Sequence, residues 1–142
     1  MRKAIARLSR SLRATDAGTG LTPTQLSLLG TVASRGELPL SELCKLESLN
    51  PTLLSRAVGR LEQQGLLLRH PHPHDRRAAL VDATAAGRRL YRRIRAERTD
   101  VLAAQLRGLA DADRAALLAA LPALEQIAER LLEEPAPAGA AR

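Results

Sequence analysis

The sequence predicts a mainly α-helical chain carrying one small β-hairpin, and three observations lead there. Apolar residues make up 45% of the 142, led by leucine and alanine, with one tyrosine and no phenylalanine or tryptophan; leucine and alanine are strong helix formers. Thr22-Pro23 and Asn50-Pro51 each set a capping side chain before a first-turn proline, and Gly36 and Gly65 stand where helical periodicity stops. Only between Gly65 and Thr84 does the pattern turn strand-like. This length suits one domain with a core of ordinary size.

Taken in order, Arg2 to Thr15 place Ile5, Leu8 and Leu12 on one side and arginines opposite, a short amphipathic helix. Asp16-Ala17-Gly18-Thr19-Gly20 ends it. Thr22 caps the second helix, Pro23 begins it and Gln25 completes a capping box. Its expected buried stripe is Leu26, Leu29, Val32 and Ala33, and Arg35-Gly36 closes it. A short extended piece from Glu37 to Leu40 leads to Ser41, the expected cap of a third helix running to about Glu47, with Leu40, Leu43, Cys44 and Leu46 apolar. The turn Ser48-Leu49-Asn50-Pro51 opens a fourth helix that reaches about Gln64. Two helices across so tight a turn have helix-turn-helix spacing.

Leu66 to His70 and Ala78 to Asp82 then read as two strands joined by a long, basic, proline-stiffened loop, PHPHDRR. Thr84 caps a long helix from Ala85 to about Leu106, with Leu90, Ile94 and Val101 as its buried seam and Tyr91 beside them. Gly108 breaks it. Asp111 is the expected cap of a last helix to about Leu132, with Leu117, Leu118, Leu121, Leu124, Ile127 and Leu131 on its stripe and a kink at Pro122. The tail EEPAPAGAAR is expected to be disordered. A helix-turn-helix followed at once by a two-stranded hairpin is a winged helix-turn-helix.

Charge narrows the class further. From Pro51 to Arg98 there are eleven arginines against four acids, a local excess equal to the +7 of the whole chain. Arginine concentrated without acid partners is a polyanion footprint, nucleic acid before membrane. The chain has no run of about 18 apolar residues, the length needed to span a bilayer. MRKAIARLSRSLRA lacks the apolar core of a secretory signal, and one cysteine suits a reducing compartment, so a cytoplasmic protein is expected. The sequence contains no P-loop, G-x-S-x-G or H-E-x-x-H motif and no clustered carboxylates, so no enzyme and no cofactor are expected.

At 100° per residue, Leu53, Leu54, Ala57, Val58 and Leu61 gather on one side of the fourth helix. The opposite side carries Thr52, Ser55, Arg56, Gly59 and Gln63, with Arg60 at its margin. Small hydroxyls and an arginine near a helix N-terminus allow close approach to base edges, where arginine pairs with guanine in bidentate fashion. Arg56 is the best base-reading candidate, with Asn50, Pro51, Thr52 and Ser55 around it, while Arg60 suits the backbone. An amphipathic helix with a merely solvated outer face would look the same on its own; the turn before it and the hairpin after it favour duplex DNA.

The motifs in this region resemble those of the multiple-antibiotic-resistance regulator (MarR) family. They are Leu61-Glu62-Gln63-Gln64-Gly65 at the end of the fourth helix, Arg69 in the first wing strand, Asp75-Arg76-Arg77 at the wing, and Thr84 to Gly87 opening the next helix. The resemblance covers roughly residues 22 to 132. One departure is Ala83, where the family usually has leucine before the threonine. The resemblance implies a homodimer whose first, fifth and sixth helices form a dimerisation lobe. Residues 1–20 would be the N-terminal dimerisation helix, 21–83 the DNA-binding lobe, 84–133 the C-terminal dimerisation helices and 134–142 a tail. It further implies a recognition helix in the major groove, Arg77 in the minor groove and Asp75 bracing the loop. A small phenolic or apolar effector would lodge between the lobes.

His70-Pro71-His72-Pro73-His74 could in principle be a Zn²⁺ or Ni²⁺ tripod. Its prolines hold the segment extended and aim neighbouring rings apart, and Asp75 is the one further ligand nearby. The tract is therefore read as a wing tip, with His72, His74, Arg76 and Arg77 near phosphate and no metal. Cys44, among leucines, reads as core rather than as a redox sensor. The arginine run from Arg88 to Arg98 is either a solvated face or a contact to backbone or to an acidic surface. Together these readings predict a sequence-specific regulator that binds double-stranded DNA as a homodimer, a ligand-responsive repressor of a pseudo-palindromic operator. The competing class is an architectural or RNA-associated protein that uses its arginines non-specifically.

Overall fold

The computed structural model describes the backbone of residues 2–14, 18–73 and 75–133, and their side chains apart from residues 13, 14, 75–77 and 131–133. The elements run α1 (Arg2–Ala14), α2 (Pro23–Arg35), β1 (Leu38–Pro39), α3 (Leu40–Leu46), α4 (Pro51–Gln63), β2 (Leu67–His72), β3 (Asp75–Ala83), α5 (Ala85–Arg107) and α6 (Asp111–Glu133). The mainly helical class and its single small sheet are as expected. The sheet is antiparallel in the order β1-β3-β2, so β1 adds a third strand to the hairpin. Of the described residues, those up to Leu102 form one compact unit and those from Ala103 a second.

Local chemistry sets the helix ends. Thr22 accepts from the Gln25 amide while the Gln25 side chain accepts from the Thr22 amide at 2.8 Å, a complete capping box. Gly36 closes α2 at φ 84° and Gly65 turns the chain out of α4 at φ 68°, a region that glycine enters without a Cβ penalty. The third helix starts a residue earlier than expected. Its cap position is Pro39, with no side-chain cap bond, and Ser41 lies inside it. Asp111 is likewise the first residue of α6 rather than its cap, and it pairs with Arg114. That helix continues through Pro122.

The core of the first unit gathers Leu28, Leu29, Val32, Leu38, Leu43, Leu54, Val58, Leu61, Leu67 and Val81 from α2, α3, α4 and the sheet. Leu28 joins it although the periodicity pointed to its neighbours. Fixing such side chains against one another holds α4 rigidly, because apolar burial is worth about 25 cal/mol per Å². The helix-turn-helix joint is braced as well. Ser27 and Thr31 of α2 donate to the Glu47 carboxylate just after α3, and the half-buried Cys44 thiol donates to the Leu49 carbonyl in the turn. On α5, Ile94 is buried as expected, but Val101 is exposed. Among the described residues no helix is long and apolar enough to cross a membrane.

Candidate nucleic-acid interface

The fourth helix begins where Asn50 Oδ1 accepts from the Leu53 amide at 2.9 Å, with Pro51 next in line. That bond satisfies one orphan donor of the helix start and commits the carboxamide oxygen of Asn50 to capping. Its amide nitrogen remains as a donor for a base or phosphate. Leu54, Val58 and Leu61 are buried, and Thr52, Ser55, Arg56, Arg60 and Gln63 are exposed. A Cβ added at Gly59 would meet nothing within 4 Å, so the outer face is open there. Arg56 and Arg60 have no ion-pair partner among the described residues. The helix thus presents small hydroxyls and two uncompensated guanidinium groups. One assignment is corrected: Leu53, expected in the buried stripe, is 51% exposed.

The hairpin also departs from the sequence reading. The His-Pro tract is largely strand, because β2 runs to His72 and β3 begins at Asp75. Prolines suggested a long loop, yet β2 is an edge strand, and an edge tolerates the missing donor of Pro71. Pairing is regular from Leu67↔Ala83 to Pro71↔Ala79 and then jumps to His72↔Asp75. Residues 76–78 of β3 consequently have no opposite number, a bulge that holds the arginine pair. His72 is half-buried. His74 and the side chains of Asp75, Arg76 and Arg77 lie outside the described residues.

Below the tip, two ion pairs and a histidine–carboxylate contact tie the hairpin stem to its surroundings. Arg69 Nη2 lies 3.4 Å from Glu62 Oε2, joining β2 to the end of α4, while its buried Nε has no hydrogen-bond partner among the described residues. His70 Nε2 meets Glu37 Oε2 at 2.7 Å, so this ring is turned to a carboxylate instead of standing ready for phosphate. Arg88 Nη2 donates to both Asp82 oxygens at 2.6 and 2.8 Å, joining α5 to β3. Thr84 ties the return of the chain: its hydroxyl donates to the Gly65 carbonyl at 2.6 Å and accepts from the Gly87 amide at 3.0 Å. Gly87 fits because a Cβ there would stand 2.1 Å from the Leu66 carbonyl oxygen. Sequence reasoning missed Glu37, Glu62 and Asp82 as partners; no local signal marks contacts made between elements.

Between α1, α2 and α5, an open cleft of about 710 Å³ is lined by Leu12 of α1, Leu26, Gly30 and Ser34 of α2, and Tyr91 and Arg98 of α5. The Tyr91 ring lies over Gly30, where a Cβ would meet it at 3.0 Å, and the Ser34 hydroxyl is 3.4 Å from the phenol oxygen.

This fold, with an exposed cationic helix and an arginine-bearing hairpin beside it, defines a winged helix-turn-helix DNA-binding protein. Comparison with known proteins makes the class narrower. The MarR family model matches residues 21–79. The HTH-type transcriptional regulator Mb0904 of Mycobacterium bovis is 33% identical over 111 residues, 78% of each chain. The HTH-type transcriptional repressor MdtR of Bacillus subtilis is 30% identical over 87 residues, 61% of this chain and 56% of that one. The crystal structure of RV1404 from Mycobacterium tuberculosis superposes with a TM-score of 0.73 at 30% identity, covering 88% of this chain and 84% of that chain. The chain belongs to the MarR family of DNA-binding transcriptional regulators.

Proposed function

We propose that this regulator represses transcription by binding a pseudo-palindromic operator as a homodimer. The observation that carries the reading is the outer face of α4: Thr52, Ser55 and Arg56 exposed on a helix whose other face is locked into the core by Leu54, Val58 and Leu61. In this reading Arg56 pairs with a base, Thr52 and Ser55 contact base or phosphate, and Arg60 holds backbone. Pro51 and the Asn50 amide nitrogen bound the entry turn. His72, His74, Arg76 and Arg77 form the wing's face toward DNA, with Arg77 in the minor groove, where a guanidinium meets enhanced negative potential. Asp75 braces that loop, and Arg69 supports the wing from below through Glu62. Repression is favoured by the similarity to MdtR, which is named a repressor.

The dimer would be built from α1, α5 and α6, setting two copies of α4 about one helical turn, roughly 10 bp, apart. A small phenolic or apolar effector would sit in the cleft that Tyr91 lines. Because Tyr91 is the only tyrosine and no tryptophan is present, its fluorescence would report occupancy directly.

Titration of an operator duplex and a random duplex at two salt concentrations tests the reading. A regulator prefers the operator by roughly 10³-fold or more, whereas an architectural or RNA-associated protein binds both alike with one steep salt slope. Arg77→Ala should weaken operator binding while leaving the dimer intact, measured by band shift and sedimentation. Unchanged affinity would remove Arg77 from the wing's contact.

A further inference from the structure

The periodicity of α4 assigns Leu53 to the core, and the structure does not put it there. Leu54, the next residue, is 3% exposed, while Leu53 is half open to solvent. At 100° per residue Leu53 lies at the margin of the two faces, with Ala57 four positions on toward the core and Arg56 and Arg60, three and seven positions on, toward solvent. Both arginines are exposed, and neither has an ion-pair partner among the described residues. Among the described residues of α4, Leu53 is the one large apolar side chain that is exposed. Its backbone is fixed, since its own amide is the donor to the Asn50 cap.

Its place in the helix gives this exposure a chemical sense. Leu53 is the third residue of α4, in the N-terminal turn that a recognition helix carries deepest into the groove. The major-groove edge offers hydrogen-bonding groups at every base pair but only one apolar handle, the C5 methyl of thymine. A hydroxyl or guanidinium gains nothing from that methyl, and a leucine side chain does. We infer that Leu53 is a specificity-determining residue that packs on a thymine methyl in each half-site, beside the base read by Arg56. The inference rests on the operator-binding reading above.

Deoxyuridine differs from thymidine only by that methyl, so it isolates the contact. The probe is a duplex selected by the wild-type chain from a random pool, with each thymine replaced singly by deoxyuridine. One position per half-site, related by the two-fold axis, should lose affinity about four-fold, the equivalent of about 0.8 kcal/mol for one buried methyl. Leu53→Ala should bind the thymine and uracil versions equally, with an unchanged melting temperature. Leu53→Met, which keeps an apolar side chain of similar reach, should restore the discrimination. Arg56→Ala should bind more weakly overall and keep the ratio. A selected duplex insensitive to every replacement, or a ratio that persists in Leu53→Ala, overturns the assignment alone. A chain that selects no duplex overturns the operator-binding reading and this inference together.

Discussion

Two amphipathic helices, α4 and α6, look alike in periodicity and end in opposite situations. Leu54, Val58 and Leu61 of α4 are buried among side chains of their own unit, whereas Leu117, Leu118, Leu121, Leu124 and Ile127 of α6 stay exposed, Leu118 at 61%. A contiguous apolar stripe facing water is costly, and large exposed patches of this kind mark interaction sites. The contrast teaches that a heptad-like pattern announces a partner without naming it. For α4 the partner is a sheet and two helices encoded nearby. For α6, in the proposed dimer, it is a second copy of the chain.

The comparison can be broken by substitution. The largest effect is expected from Leu121→Asp. In the proposed dimer it buries an uncompensated charge in each copy, costing about 3–5 kcal/mol apiece. Sedimentation should then give a monomer, and a persistent dimer would separate the α6 stripe from assembly. Leu61→Ala, on the satisfied side, should lower unfolding free energy by about 2–5 kcal/mol in denaturant titration. A loss below 1 kcal/mol would mean that α4 is not held by its core face. Gly87→Ala forces a methyl against a backbone carbonyl, which cannot swing aside as a side chain can. We expect about 1–3 kcal/mol of destabilisation, read as a fall in Tm. Smallest is Asn50→Ala, which removes the α4 cap and should cost about 1 kcal/mol. If operator affinity fell no more than stability, the Asn50 amide would be a cap group only.

Local chemistry was legible in the sequence to within a residue or two. The Thr22 capping box, the Asn50 cap, the glycine turns at Gly36 and Gly65 and the Thr84 hydroxyl each depend on a few adjacent residues and a backbone donor. Wrong readings arose where tertiary context decides. Pro71 suggested a loop, but it sits on an edge strand where a missing N–H is harmless. Ser41 suggested a cap, but the chain enters α3 directly from β1 at Pro39. Leu53 was placed by a periodicity that allows a wide apolar arc and does not mark where packing ends. Glu62, Glu37 and Asp82 were invisible as partners because Arg69, His70 and Arg88 reach them across elements that only folding brings together. For the candidate site, the exposed positions of α4 follow from the pattern, while the stem that steadies the wing had to be seen.

The unequal arms of the hairpin carry one more implication. Because residues 76–78 are surplus on β3 alone, the ladder from Leu67↔Ala83 to Pro71↔Ala79 is complete without them. The tip can therefore be lengthened, shortened or rewritten while the paired rungs below keep their alignment. Under the proposed function, the groups that meet the groove could be exchanged at that spot without redesigning the paired scaffold beneath them.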